Sequence, residues 1–139
     1  AAAARRFGHE PRVALISFSN FGNPDIERSH IVRDAVTVLD SRKVDFEYDG
    51  EMGADVALNP ELMKLYPFCR LSGPANVLIT PGLHTAHAST RIMHELGGAT
   101  VIGPMLIGLE KPVQILPWGA TVNDMVNMAA FAAHDANGD

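Results

Sequence analysis

The sequence is poor in cysteine, in positive charge and in long apolar runs, and each shortage excludes a class of protein. A single cysteine, Cys69, provides neither a disulfide framework nor a thiolate metal cluster, and it fits a buried position in a protein of the reducing cytoplasm. The formal net charge of −5 argues against nucleic acid as a main partner, because phosphate binding needs a basic face. No apolar run approaches the roughly 20 residues that cross a membrane. We therefore predict a cytoplasmic protein that binds neither nucleic acid nor membranes.

The composition that remains is that of a globular protein. Apolar residues make up 47% and charged residues 19% of the 139 residues, which is enough for an independent core. We predict a single domain, or a large part of one, over residues 1–139. Ala1–Phe7 is rich in the best helix former, and Gly8 suits a position just past a helix end. We expect this segment to be the tail of a helix that starts earlier in a longer protein, so that the chain is a fragment.

Strand and helix patterns alternate along the chain. Arg12–Ser19 is a nearly continuous apolar run, which is typical of a strand covered on both faces. Asn23 and Pro24 read as the N-cap and first residue of a helix that extends to Asp40. The alternation predicts an α/β fold with a largely parallel sheet flanked by helices. The other predicted elements are strands at Val44–Tyr48, Asn76–Thr80, Ala99–Gly103 and Pro112–Leu116, and helices at Asn59–Leu65, Ala86–Leu96 and from Thr121 onward.

The loop Ser17–Asn23, between the first strand and the first long helix, allows two interpretations. Its hydroxyls, Gly22 and the start of the following helix fit a cradle for a phosphate group. Asp25 and Glu27 count against this interpretation, because they lie in the predicted first turn of that helix and repel an anion. The alternative is an ordinary strand-to-helix turn with a side-chain cap.

Three further groups of polar residues are better explained by structure than by chemistry. His84, His87 and His94 lie near one another in sequence, but no carboxylate or cysteine completes a convincing metal site, and we predict no metal ligands. Asp124 follows Thr121 by three residues, which is the spacing of a capping box at a helix start. The acidic residues of the third group are interpreted as a solvated loop; they are Asp45, Asp49, Glu51 and Asp55.

Stretches across nearly the whole chain are similar to the second half of the phosphate acetyl/butyryl-transferase domain. The most specific are SGPANVLITPGL and IGPMLIGLEKPV. Two others, DFEYDGEMGADVALNPELM and YPFCRLSGPANVL, resemble the C-terminal domain of the large bacterial NADP-dependent malic enzymes. The resemblance implies an isocitrate-dehydrogenase-like fold, dimerisation through this domain and inhibition by bound acetyl-CoA. It places NADP and a divalent metal in a malic-enzyme part outside this segment.

The chain departs from the family where the transfer chemistry takes place. Active members carry Leu-Ser-Arg-Gly, and this chain has Pro117 and Trp118 in place of the Ser and the Arg. In the family that Ser helps to activate the CoA thiol and that Arg holds the acetyl-phosphate. The family's loop Ser-x-Ser-Thr-Lys-Gly-Ser reads Ser17–Asn23 here, with Phe21 in place of the lysine. The resemblance therefore implies that the segment has no catalytic residues.

From these residues we expect a non-catalytic regulatory and dimerisation domain of an NADP-dependent malic enzyme, with acetyl-CoA as allosteric effector. Two alternatives remain open, an active phosphate acetyltransferase and a purely structural oligomerisation domain. The acyl group that is preferred, the loop that meets the CoA phosphates, and whether the chain forms a homodimer or a higher homo-oligomer also remain open. The candidate ligand-binding residues are Ser19, Asn20, Gly22, His84, Thr85, Asp124, Lys111 and Arg70.

Overall fold

The computed structural model describes residues 1–137. They fall into two compact units, residues 1–87 and a second unit of which residues 88–137 are described. Among these residues, no helix combines the length and the apolar character that crossing a bilayer requires.

The first unit contains a sheet of three strands. Its parallel arrangement confirms the prediction made from the alternating pattern, although five strands were predicted along the chain. The strands are β1 (Arg12–Ile16), β2 (Glu47–Met52) and β3 (Val77–Ile79), in the order β2-β1-β3. β1 is the central strand and pairs in parallel with both neighbours, so that Val13 lies opposite Tyr48 on one side and Val77 on the other. The carboxyl end of β1 therefore leads into the loop that the sequence singled out.

Six helices accompany the strands in the described residues. α4 begins where the sequence predicts it, because the Asn59 side chain caps it by accepting a hydrogen bond from the Glu61 amide. α3 was not predicted, and α2 begins three residues later than expected. The bounds are α1 (Ala2–Arg6), α2 (Glu27–Ser41), α3 (Ala54–Leu58), α4 (Pro60–Met63), α5 (Leu83–Gly97) and α6 (Val122–Ala136).

Both faces of β1 are buried, which confirms the prediction made from its apolar run. Val13 and Leu15 pack with Val32 and Val36 of α2. The alternate residues of β1 pack on the opposite face, with Val56 and Ala57 of α3 and Met63 of α4; they are Ala14 and Ile16. Burying a Val, Leu or Ile side chain stabilises a fold by about 1.5–3 kcal/mol, so β1 anchors the unit.

β2 lies three residues further along the chain than predicted, and two members of the supposed acidic loop are buried within it. Asp49 and Glu51 are 4% and 1% exposed. The pairing shifts at a bulge, because Leu15 lies opposite Gly50 whereas Ile16 lies opposite Met52. Gly50 has a φ of +149°, and a Cβ added there would lie 2.6 Å from the Leu15 carbonyl oxygen. Only glycine fits this position, because any side chain would collide with the backbone of β1.

In the second unit, the runs predicted as strands, Ala99–Gly103 and Pro112–Leu116, belong to no strand. Proline has no N–H to donate to a ladder, and Pro104, Pro112 and Pro117 leave gaps along this segment. The Gln114 side chain supplies pairing instead. Its Oε1 accepts a hydrogen bond from the Leu106 amide at 3.0 Å, and its Nε2 donates to the Leu106 carbonyl at 3.1 Å. We call this the 106–114 clasp.

α6 begins at the predicted capping box. The Asp124 amide donates to Thr121 Oγ1 at 3.2 Å, and the Thr121 amide donates to Asp124 Oδ2 at 2.8 Å. The helix buries Met128 and Phe131. Three larger apolar residues of the helix are not buried with these two. They are Val122, Met125 and Val126, which are 77%, 50% and 59% exposed.

Candidate functional site

The loop between β1 and α2 folds around the carboxylate of Glu51. Ser19, which is fully buried, donates its hydroxyl hydrogen to Glu51 Oε1 at 3.0 Å. The Gly22 amide donates to the same oxygen at 2.8 Å. Two of the predicted site residues are thus brought together, and their common partner is a side chain from β2.

Arg33 of α2 completes this cluster. Its Nε lies 3.2 Å from Glu51 Oε2, and one terminal nitrogen lies 3.2 Å from Oε1. The same terminal nitrogen reaches Asp25 Oδ1 at 3.3 Å, and His30 Nε2 lies 2.9 Å from that oxygen. Burial acts to raise the pKa of Glu51, but the hydrogen bonds from Arg33, Gly22 and Ser19 outweigh it and leave the pKa below its ordinary value. Glu51 is therefore an ionised carboxylate at neutral pH.

The backbone of the loop is closed on itself, which is why Asn23 is not a helix cap. Asn20 and Asn23 exchange two backbone hydrogen bonds, at 2.9 and 3.0 Å. The predicted helix start at Asn23 and Pro24 is wrong because this pairing keeps both residues in the loop, and α2 instead begins after Ile26, without a side-chain cap. The Asn20 side chain accepts a hydrogen bond from the Gly53 amide at 2.7 Å, which ties the loop to the segment after β2.

Phe21, which occupies the place of the family's lysine, is held by both its backbone and its ring. Its amide donates to the Glu51 carbonyl at 2.7 Å, and its φ is +50°. Its ring meets that of Phe68 edge to face, with the centroids 5.0 Å apart. This aromatic contact packs the loop against another part of the first unit.

Arg70, a candidate for binding CoA phosphates, is engaged by two carboxylates. Its backbone amide and its Nε donate to Asp49, at 2.6 and 3.2 Å. A terminal nitrogen donates to Asp40 at 2.6 Å, and the guanidinium lies 4.8 Å from the centre of the Tyr48 ring. Tyr48 donates its hydroxyl hydrogen to Asp40 at 2.6 Å. This arrangement balances the buried charge of Asp49.

His84 and Thr85 lie in the first turn of α5, where both are exposed. Within residues 1–137, no group of three or more His, Cys, Asp or Glu side chains is arranged to hold a metal ion.

The second unit contains a small cavity of about 20 Å³, which is room for one water molecule. Asp124 and Pro117 both line it, and among the described residues its lining includes neither a hydroxyl nor a cationic side chain. The hydrogen bonds from the Thr121 amide and hydroxyl hold the pKa of Asp124 below its ordinary value. The lining residues are Val101, Ile102, Gly103, Ile115, Leu116, Pro117, Asp124, Asn127 and Met128.

Two other residues of the second unit that the sequence analysis singled out are exposed. Trp118, next to Pro117, is fully exposed, with a relative exposure of 106%. Lys111 is exposed within the 106–114 clasp. A fully exposed tryptophan is uncommon, since its ring has more apolar surface to bury than any other side chain.

Sequence reasoning missed Glu51 and Arg33, the residues that organise the β1–α2 loop. The available signal was weak: Glu51 stands between a glycine and an apolar residue, which is equally typical of a turn. Only the bulge in β2 turns its side chain toward the loop.

Comparison with known proteins finds relatives of this sequence and of this fold. The sequence profile of the family described as phosphate acetyl/butaryl transferase matches residues 1–133. An NADP-dependent malic enzyme of Rhizobium meliloti (strain 1021) is 59% identical over 98% of this chain, and a probable NADP-dependent malic enzyme of Rickettsia prowazekii (strain Madrid E) is 50% identical over 96%. The match spans only 18% and 19% of the lengths of these two relatives.

A solved phosphotransacetylase from Streptococcus pyogenes superimposes on the whole chain with a TM-score of 0.91 and 31% identity. The chain covers 43% of that protein. The α/β architecture predicted from the sequence is thus that of the solved phosphotransacetylases.

Proposed function

Since this chain belongs to the phosphate acetyl/butaryl transferase family, we propose that it is a non-catalytic regulatory and dimerisation domain of an NADP-dependent malic enzyme. In this proposal acetyl-CoA binds to the domain as an effector and shifts the distant catalytic part between two states. Such coupling needs a difference in affinity worth only about 1–3 kcal/mol. NADP and a divalent metal belong to the catalytic part, outside this chain.

The observation that carries the proposal is the position of Pro117. It lines the cavity beside Asp124. The resemblance to the family aligns it with the serine of the Leu-Ser-Arg-Gly motif. A proline ring has no hydroxyl that could assist the CoA thiol, and the neighbouring Trp118 has no charge to hold an acetyl-phosphate. Losing one such preorganised group costs about 2.7–4 kcal/mol of transition-state stabilisation. Losing two supports a domain that binds without transferring the acyl group.

The candidate residues take different roles in this proposal. His84, Thr85 and Lys111 are exposed and able to contact a ligand, and Lys111 offers a positive charge to the CoA phosphates. Asp124 holds the start of α6 beside the cavity. The loop residues act through the shape of the β1–α2 loop, and Arg70 is a weaker candidate because two carboxylates engage it; the loop residues are Ser19, Asn20 and Gly22.

Inhibition kinetics of the full-length enzyme test the proposal. We expect acetyl-CoA to inhibit NADPH formation from malate, and Lys111→Ala to raise the concentration for half-inhibition by roughly two- to fivefold, the effect of one exposed charge pair. Lys43→Ala removes the same charge from an exposed position of the other unit and serves as the matched control. Inhibition that survives removal of residues 1–139 unchanged would contradict the proposal.

Two direct assays separate the alternatives. We expect no acetyl-CoA formation from acetyl-phosphate and CoA above background, and turnover there favours the active transferase. We also expect acetyl-CoA to change the fluorescence of Trp118, with Trp118→Phe as the control that removes this signal. A fluorescence titration without response, together with inhibition absent in the intact enzyme, favours a purely structural domain.

Self-association is the second part of the proposal, and the exposed face of α6 supports it. Val122, Met125 and Val126 present an apolar surface of the kind that a second subunit covers. We expect Val126→Asp to shift the full-length protein toward monomers in light-scattering measurements. Thr37→Asp, at an exposed position of α2, adds the same charge and is expected to leave the mass unchanged. Equal masses for both variants would argue against this surface.

A further inference from the structure

The β1–α2 loop has the donors of an oxyanion site. The hydroxyl of Ser19 and the amide of Gly22 point at one oxygen atom, and the guanidinium of Arg33 lies beside it, all within 3.2 Å of the carboxylate they surround. A hydroxyl, a backbone N–H and a guanidinium are the groups that bind phosphate and carboxylate ligands in proteins. The anion they hold here is part of the chain.

We propose that Glu51 is the resident anion of this loop: its carboxylate fills an oxyanion-binding position formed by Ser19, Gly22 and Arg33 and excludes free phosphate and carboxylate ligands from it. Glu51 is thus a specificity-determining residue of the loop. The inference concerns small anions and holds whether or not the chain binds acetyl-CoA.

The bulge in β2 explains how a strand residue reaches the loop. Glu51 is the extra residue between Gly50 and Met52, so its side chain does not follow the alternation of the strand. Its carbonyl accepts the Phe21 amide, which fixes the backbone of the loop against the same residue whose side chain fills it. Backbone and side chain of Glu51 therefore stabilise one conformation of the loop together.

Attachment gives this carboxylate an advantage over any dissolved anion. A free phosphate loses translational and rotational freedom on binding, whereas Glu51 has lost it when the strand forms. Charge acts in the same direction. Arg33 already faces two carboxylates, those of Glu51 and Asp25, and a phosphate dianion adds a like charge beside them.

The replacement Glu51→Ala converts the position into a site for a dissolved anion. It removes a –CH2–COO⁻ group, and acetate has nearly this shape and charge. We expect the full-length variant to melt at a lower temperature than the wild type, and sodium acetate at constant ionic strength to raise its melting temperature by roughly 2–6 °C near saturation. The wild type should respond by less than about 1 °C.

Glu47→Ala is the matched control, because it makes the same change on the same strand at an exposed side chain held by Ser72. An acetate response of Glu51→Ala no larger than that of Glu47→Ala would overturn the proposal. Glu51→Gln fills the space without the charge, and it should show no acetate response. A response of Glu51→Gln as large as that of Glu51→Ala would also count against it.

If Glu51→Ala does not fold with or without acetate, a measurement on the loop of the wild type and of Glu51→Gln tests the proposal. Hydrogen exchange of the Gly22 amide, resolved by NMR within the loop of residues 17–23, reports on its hydrogen bond to Glu51 directly. In the wild type we expect inorganic phosphate to leave this exchange unchanged, and in Glu51→Gln we expect exchange to be at least threefold faster, on the order of one weakened hydrogen bond. Protection of the wild-type loop by phosphate, or equal exchange in both proteins, would show that Glu51 does not occupy such a position.

Discussion

The two units differ in how completely their own residues cover apolar side chains and pair buried charges. In residues 1–87, helices cover both faces of β1, and two buried carboxylates each face an arginine. In residues 88–137, α6 buries Met128 and Phe131 but leaves the larger members of its apolar face exposed. The same kind of hydropathy pattern predicted both regions. A regular apolar pattern therefore predicts a helix or strand, but it does not tell whether the chain itself provides the surface that covers it.

The two units also contain different kinds of polar site. In the first unit, one interpretation of the β1–α2 loop was a phosphate cradle, and the donors of this loop bind the carboxylate of Glu51. In the second unit, Asp124 lines a cavity while its carboxylate caps a helix. Internal structure thus accounts for the polar contacts of both, whereas Lys111, His84 and Thr85 are exposed.

The largest effect is expected at the centre of the first unit. Met52 is fully buried in the cluster between β1, α3 and α4. We expect Met52→Ala to lower the free energy of unfolding by about 2–5 kcal/mol, because it removes buried apolar surface and leaves a cavity. Urea unfolding followed by circular dichroism measures this loss. A value below about 1 kcal/mol would mean that this core is loosely packed, and it would remove the difference between the two units.

The next effect concerns the buried carboxylate of Glu51. Glu51→Gln should cost about 1–3 kcal/mol, because it leaves the Arg33 guanidinium without its buried charge partner. The exposed carboxylate of Glu110 in the second unit is the control, and Glu110→Gln should change stability by less than about 0.5 kcal/mol. Equal losses at both positions would contradict the distinction between the units.

The dependence on pH has a definite sign. The pKa of Glu51 in the folded protein lies below its ordinary value of 4.5, so its ionised form stabilises the fold above that pH. The contribution is lost as the pH falls through the lowered pKa. We therefore expect the difference in stability between the wild type and Glu51→Gln to be constant near neutral pH and to shrink in acid. A difference that grows in acid would have the wrong sign.

A smaller effect is expected at the start of α6. Thr121→Ala removes the hydroxyl that accepts the Asp124 amide and should cost about 0.5–2 kcal/mol. Thr121→Ser keeps the hydroxyl and should recover most of the loss. Thermal unfolding of the three proteins measures the difference. If serine recovers nothing, the methyl group and not the capping hydrogen bond carries the effect.

The smallest effect is expected on the exposed face of α6. Met125 is 50% exposed, and Met125→Ala should change the free energy of unfolding of the monomer by less than about 0.5 kcal/mol. The same replacement at Met52 gives the contrast. If a second subunit covers this face, the loss should appear as weaker self-association, measured by sedimentation at several concentrations. A loss of monomer stability as large as that at Met52 would remove the difference between the two regions.

The elements that the sequence predicts well are those whose signals are local or strongly apolar. β1 and β3 follow from apolar runs, α4 from Asn59 and Pro60, and α6 from Thr121 and Asp124, where the cap and its partner are three residues apart. These patterns can be recognised without knowing which distant residues pack against them.

The errors come from partners that are distant in sequence. β2 was placed too early because its inner residues include Asp49 and Glu51, whose burial depends on Arg70 and Arg33, 21 and 18 residues away. A carboxylate looks like a loop residue until its cation is known. The prediction of a helix start at Asn23 was wrong for a related reason, because the backbone N–H and C=O of Asn23 are hydrogen-bonded to Asn20. The runs Ala99–Gly103 and Pro112–Leu116 were apolar enough for strands but lack the ladder partners.

The 106–114 clasp gives the second unit a natural place for a genetic insertion. Both hydrogen bonds of the Gln114 side chain go to Leu106, so the ends of the segment stay together independently of the residues between them. Gly108, between these ends, has a φ of +80° and nothing within 4 Å of an added Cβ. An epitope tag or a small fluorescent peptide placed there should therefore extend into solvent, while the two hydrogen bonds of Gln114 keep the ends of the segment together.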